Sequence, residues 1–133
     1  MLIYEELSNK ILRAYNNVEN CLGKGLAEKV YENAFCIELE EMGIPFERQK
    51  PLSVEYKGHV VGSFVADFFV DGKIIVELKA VSAITPDHVA QTLNYVNLTH
   101  SKLGYILNFS QEQGRGFQRL LGQAAREHEP LIR

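Results

Sequence analysis

Cysteine is scarce in this sequence. Only Cys21 and Cys36 occur, both inside segments that read as helical, and neither stands at a metal-ligand spacing. That excludes a disulfide framework and leaves two buried free thiols as the expectation. Long apolar runs are lacking too. No stretch approaches the roughly 18 residues that would span a bilayer, so no membrane span is expected. The opening MLIYEELSNKILRAY brings acidic residues early and has no apolar h-region. It does not read as a secretory signal, and the cytoplasm is the expected compartment. Positive charge is not in excess either: the formal net charge is −3. That is mildly unfavourable for non-specific binding to a polyanion. Any nucleic-acid contact must use local positive charge, or a metal that offsets a cluster of carboxylates. There is no internal repeat, low-complexity segment or linker. No glycine loop is placed to cradle phosphate, because Gly23-x-Gly25 follows a helix rather than a strand.

What remains is an ordinary globular mix, 46% apolar and 23% charged over 133 residues. A chain of this length fits one domain and can bury roughly 65–70% of its unfolded surface, so one core needs no staples. Residues 1–22 read as an N-terminal helix, 23–109 as the core, and 110–133 as a C-terminal tail with a helix.

The pattern along the chain is specific enough to order the elements. Ile3, Leu7, Ile11, Leu12, Tyr15, Val18 and Leu22 recur at helical steps. A second helix, about 25–42, carries the stripe Leu26, Val30, Ala34, Ile37 and Met42, widened by Phe35 and Leu39. Gly43 and Pro45 end it. Residues 44–56 are extended and hold Pro45 and Pro51, which suits an edge strand. Lys57-Gly58 is a turn, 60–70 a strand, Asp71-Gly72 a hairpin turn, and 73–80 a strand. The run Ile74-Ile75-Val76 in that last strand predicts burial on both faces. Thr85 as N-cap and Pro86 at the first position open a helix to about 99. The apolar strand 103–109 then implies a parallel βαβ step. A polar tail from Ser110 leads to a short helix over about 117–127.

Chemistry gathers in the hairpin. Asp67 lies in GSFVADFFV, and Glu77 and Lys79 lie in IIVELKA. Isolated buried carboxylates are costly unless paired, hydrogen-bonded or metal-bound. Alternation along a strand puts Glu77 and Lys79 on one face. Whether Asp67 joins them depends on the turn. A two-residue loop would pair Val70 with Lys73 and send Asp67 to the opposite face. A three-residue loop with Gly72 in the left-handed position, pairing Phe69 with Lys73, puts Asp67, Ile75, Glu77 and Lys79 together. We expect the second form, with Ala66, Phe68, Val70, Ile74, Val76 and Leu78 as the apolar reverse face. Two carboxylates and an ammonium suit phosphodiester hydrolysis with Mg2+ or Mn2+. The metal would polarise the phosphate, and the lysine would orient or deprotonate water. From these three residues alone, a salt-bridged trio at a sheet edge stands as the rival reading.

Beyond this hairpin, GLAEKVY over 25–31 matches a Gly-x-x-Glu-x-x-Tyr signature. IELEEMGIPFERQKPLSVEYKG, FVADFFVDGKIIVELKAV and AQTLNYVN follow in order. From about 23 to 109 the chain resembles the GxxExxY family of the PD-(D/E)XK nuclease superfamily. The resemblance implies an α/β, restriction-endonuclease-like core of order αβββαβ, a central mixed sheet flanked by helices. It implies Asp67 and Glu77 as metal ligands, Glu28 as a further carboxylate from the first core helix, and Lys79 as the motif lysine. Gln91 and Tyr95 match a Gln-x-x-x-Tyr motif on the next helix, where spacing of four puts both on one face. The sequence departs from the motif where Ala66 replaces its proline.

The implied function is a metal-dependent nuclease with nucleic acid as partner, DNA favoured over RNA, with a homodimer allowed. A catalytically silent domain binding nucleic acid or protein is the alternative. Tyr31 reads as a packing residue with its hydroxyl bonded near the site. His88 reads as an exposed helix histidine within reach of phosphate, and His59, His100 and His128 as chemically idle. Lys24, Lys29, Arg48 and Lys50 form either a basic rim or a scattered solvated set, and Arg115 and Arg119 carry the same two readings.

Overall fold

Ile11, Tyr15 and Val18 recur at helical steps and are buried along one side of α1 (Glu5–Leu22). The computed structural model describes residues 3–109 and 116–126. Arg115, His128, Leu2 and the last residue of the expected C-terminal helix lie outside them. A short connection leads to α2 (Glu28–Glu41), which Gly43 ends at φ 69°, a left-handed position that glycine takes without strain.

The buried face of α2 is not the expected stripe. Tyr31, Glu32, Phe35, Cys36 and Leu39 face inward, whereas Val30 is 41% and Ile37 55% exposed. The aromatic pair decides this, because Tyr31 and Phe35 bury far more surface than the valine and isoleucine they displace. Cys36 is buried, but Cys21 is exposed, against expectation.

Five strands form one sheet in chain order: β1 (Phe46–Tyr56), β2 (His59–Val70), β3 (Ile74–Lys79), β4 (Leu103–Asn108) and β5 (Phe117–Leu121). All neighbours are antiparallel except β3 and β4, which run parallel across the crossover helix α3 (Pro86–Leu98). As expected, β1 is an edge strand holding Pro51, and β3 is buried through Leu78. Thr85 caps α3 and Pro86 occupies its first turn. The segment expected as a helix from Phe117 is instead β5, paired to β4 by Leu103↔Leu121 through Leu107↔Phe117, and only α4 (Gln123–Arg126) is helical. Pairing to a distant strand overrides a weak local pattern here.

The helices sandwich the sheet. On one face α1 and α2 pack on Phe68, Val70, Ile74, Val76, Leu78, Leu103, Tyr105, Leu107 and Phe109. On the other, Tyr95 and Val96 of α3 pack on Leu52, Ala66 and Ile75. Gly104 lets α3 approach: a Cβ there would lie 2.4 Å from Val96 Cγ2. Among the described residues, no helix is long and apolar enough to cross a membrane.

Candidate active site

The β2–β3 hairpin closes through a three-residue loop, Asp71 to Lys73, with Asp71 at φ 53° and Gly72 at φ 62°. The Lys73 N–H donates to the Val70 carbonyl at 2.9 Å. The loop length is the expected one, but its register is shifted. Val70 opposes Ile74, whereas Phe69 opposes Ile75 rather than Lys73. The parity survives, so Asp67 still falls level with Glu77 across the hairpin.

The ladder stops at Phe68↔Val76. Beyond it the two strands are joined through carboxylates. The Asp67 N–H donates to Glu77 Oε2 at 2.5 Å, and the Leu78 N–H donates to Asp67 Oδ2 at 2.8 Å. The break extends into β1, where the register runs Arg48↔Phe68 and then Lys50↔Ala66, passing over Gln49 and Asp67. At this point the strand pair exchanges faces. Phe46 and Phe68 belong to the α1/α2 side, while Leu52 and Ala66 belong to the α3 side. Ala66 therefore does not share the apolar face of Phe68 as expected.

Gln49 sits at the exchange with φ 54°. Among the described residues, the other non-glycine residues with positive φ are Tyr4 at the N-cap of α1, Lys57 and Asp71 in turns, and His100 just past α3. A left-handed residue inside a strand costs about 1–2 kcal/mol. Charge-assisted hydrogen bonds of roughly 1.5–3 kcal/mol each can offset this. The Gln49 amide makes one: Nε2 donates to Glu32 Oε1, while the residue lies level with Asp67 across the passed-over rung. Glu32 is only 5% exposed and holds Arg48 at 2.6 Å and Lys29 at 2.9 Å through its other oxygen. Arg48 also bonds Asn33 Oδ1. An open cleft of about 320 Å³ lies over these groups, lined by Glu28, Lys29, Glu32, Gln49, Asp67 and Leu78.

Burial and like charge dominate the electrostatics. Glu77 is 4% exposed. Burial, and then the neighbouring Asp67, push its carboxyl up to about 8, against partial relief from the Asp67 N–H and the Lys79 ammonium. Burial also raises Asp67, although the Leu78 N–H, Lys79 and Gln49 pull it down. Glu28 is raised by partial shielding and by Asp67. Tyr95 is raised by burial, by Glu77 and by Asp67, so the α3 layer feels both carboxylates.

Asp67, Glu77, Lys79, Glu28 and Tyr95 are thus one electrostatic group. Gln91 is not drawn in: it is exposed, although it shares α3 with Tyr95. The Tyr31 hydroxyl donates to the Gly23 carbonyl at 2.6 Å and accepts the Leu26 N–H at 3.2 Å, so it ties the α1–α2 connection rather than reaching Asp67. His88 is occupied in the helix cap, where its Nδ1 accepts the Thr85 N–H at 3.0 Å. Lys29 and Arg48 are committed to Glu32, and Lys50 pairs with Glu47 at 2.7 Å, so these three do not form a free basic rim. Arg119 bonds the Tyr105 hydroxyl.

Three contributors escape sequence reasoning. Gln49 and Glu32 carry no motif. Asn108, level with Lys79 across the parallel pair, accepts the Val81 N–H and donates to the Val81 carbonyl, fixing the chain just after Lys79. Its one signal is a polar residue ending the apolar run LGYILN.

The donor chemistry fits a divalent cation. Asp67 and Glu77 offer hard oxygens in a mutually repelling pair that a cation would relieve. Among the described residues, no group of three or more His, Cys, Asp or Glu side chains is gathered to hold a metal. The expected third ligand, Glu28, therefore stays outside a closed cage. Two carboxylates, with the remaining positions left to water and phosphate, is a common arrangement for Mg2+.

A family model described as the PD-(D/E)XK nuclease superfamily matches residues 5–120. No curated protein and no solved structure matches the chain. The matched span runs from the start of α1 into β5 and takes in Asp67, Glu77 and Lys79. A mixed five-stranded sheet between helical layers is the restriction-endonuclease-like fold of that superfamily. The chain belongs to the PD-(D/E)XK nuclease superfamily.

Proposed function

We propose that this chain is a Mg2+- or Mn2+-dependent nuclease that hydrolyses phosphodiester bonds, in DNA ahead of RNA, and that it is of the GxxExxY kind within its superfamily. The observation that carries this reading is the pair Asp67, half-buried, and Glu77, buried, side by side where β2 and β3 part, with Glu77 raised to about 8. Each carboxylate takes one backbone N–H, yet the two still repel at this depth, and a cation would relieve that repulsion. When bound, the metal supplies Lewis-acid polarisation of the scissile phosphate. Asp67 and Glu77 hold it, and Glu28 adds negative charge from α2. Lys79 orients the attacking water and offsets charge on the phosphate. The Tyr95 hydroxyl steadies water or substrate from α3, and Gln91, exposed one turn earlier on that helix, contacts the substrate.

A second reading has an observation in its favour. Each carboxylate already accepts a backbone N–H, and among the described residues no three-ligand group is gathered. That suits a silent domain that binds nucleic acid or protein without cleaving. A cleavage panel separates the two: single-stranded, double-stranded and branched DNA, and RNA, each with and without Mn2+. Metal-dependent scission of any DNA substrate supports the nuclease. Binding without scission under every condition supports the silent module.

A further inference from the structure

The polar chain that reaches Asp67 from α2 has its own geometry. Glu32 on α2 receives Gln49 on one carboxylate oxygen and both Arg48 and Lys29 on the other. Its charge is thereby answered three times over, so it has nothing left to offer a metal. What it does offer is a fixed acceptor for the Gln49 amide. That amide also lies level with Asp67 across the passed-over rung, where both side chains line one cleft, and it draws the Asp67 carboxyl down. Gln49 stands between the two carboxylates with its backbone left-handed inside a strand, at the position where β1 and β2 pass over one rung and exchange faces. A standard extended residue there would continue the alternation of Arg48 and Lys50. The departure from regular strand geometry, the passed-over rung and the Glu32–Gln49 bond coincide at one residue, level with Asp67.

We infer that Gln49 is a positioning residue for the metal site: anchored by Glu32, it orients the Asp67 carboxylate for the cation. This rests on the reading of Asp67 as a metal ligand. Groups that orient a ligand in this way typically change metal affinity by 10–100-fold when removed.

The test uses the full chain and Mn2+ alone, titrated by calorimetry. Gln49→Gly keeps the left-handed backbone without strain but deletes the amide. It should melt close to the wild type and bind Mn2+ about 10-fold or more weakly. Gln49→Asn keeps an amide on a side chain one methylene shorter and should fall between the two. On any DNA that the wild type cleaves, the loss should appear in kcat at saturating DNA and be relieved by raising Mn2+, with KM for DNA little changed. A purely structural residue would lower the melting temperature and leave Mn2+ affinity alone. Both variants folded and binding Mn2+ within twofold of the wild type would overturn the role of Gln49 and leave the metal site standing. A wild-type chain that bound no Mn2+ would overturn both.

Discussion

Asp67 and Glu77 lock each other's strand: the Asp67 N–H donates to the Glu77 carboxylate at 2.5 Å, while the Asp67 carboxylate takes the Leu78 N–H at 2.8 Å. Two backbone donors that a regular ladder would give to carbonyls are spent on acids. The sheet is thereby opened where the acids meet, and the acids are held rigid without a metal.

That arrangement makes stability depend on pH. Glu77 titrates at about 8 in the folded chain, against an ordinary value of 4.5, chiefly because it is buried and then because Asp67 is beside it. A raised carboxyl stabilises the fold in its protonated form. The contribution is complete below the unfolded value and is lost as pH rises through the folded one. Metal-free protein should therefore lose stability between about pH 4.5 and 8. Glu77→Gln keeps an acceptor for the Asp67 N–H and cannot ionise. Without metal above pH 8 it should be more stable than the wild type by at least about 1 kcal/mol, roughly 3–5 °C in Tm. Added Mn2+ should raise the wild-type Tm and leave the variant unmoved. Melting curves against pH that ran parallel would contradict the raised carboxyl.

Lys79 stands two residues beyond Glu77 on the same strand, and its ammonium pulls down both Asp67 and Glu77. Lys79→Ala should lower kcat for DNA cleavage by about 10²–10⁴, the usual range for losing a group that handles the proton of attacking water. With Mn2+ present to answer the carboxylates, the fold should stand, as circular dichroism will show. Undiminished cleavage by this variant would remove Lys79 from the mechanism.

How much of this could be read beforehand follows from which contacts are local. The hairpin turn is local, but Asp71-Gly72 allows a two- or a three-residue loop; gathering Asp67 with Glu77 chose the longer one, whose parity held although its register did not. Thr85-Pro86 is local too, and it set the start of α3. The signature GLAEKVY also has local content: Gly25 is left-handed at φ 93°, Glu28 begins α2 at the cleft, and Tyr31 ties the preceding turn. Pairing with distant partners was not legible. The strand at 117–121 is short, and only the free edge of β4 makes it a strand. Val30 and Ile37 follow a helical period as well as Tyr31 and Phe35 do, and only the sheet they meet decides between them. Gln49 looks like any polar residue of an edge strand; its role comes from a broken rung that no period encodes.

The ion pair under the cleft gives an acid-side prediction. Burial raises Glu32, but hydrogen bonds from Arg48 and Lys29 outweigh it, so the carboxyl titrates below its ordinary value of 4.5. A depressed carboxyl stabilises the fold above its unfolded value, and that gain is lost as pH falls through the folded one. Arg48→Ala should cost about 1–2 kcal/mol at pH 7. That is less than the roughly 3–5 kcal/mol for stripping a fully buried pair, because the Arg48 side chain is 31% exposed and Lys29 and Gln49 remain. The gap between variant and wild type should narrow as pH drops below 4.5. Denaturant titrations at pH 7 and pH 3.5 check it, and an equal gap at both would place the cost in packing rather than in charge.

The seat of α3 gives the last prediction. On the proposed reading Tyr95 serves the site from α3, which requires α3 to lie close on β4, and that closeness depends on Gly104 lacking a side chain. A methyl at 104 would sit 2.4 Å from Val96 Cγ2 and 3.4 Å from the Ile75 carbonyl oxygen, beneath a buried valine with no room to withdraw. Gly104→Ala should cost about 1–3 kcal/mol, the range for overpacking a filled core. It should also lower cleavage, because α3 and Tyr95 must shift outward. Val96→Ala removes the obstructing methyl, so the Gly104→Ala penalty should shrink in that background, with a coupling of about 0.5 kcal/mol or more in a double-mutant cycle. A penalty equal in both backgrounds would mean that α3 does not rest on β4 through this pair, and the placing of Tyr95 would need another cause.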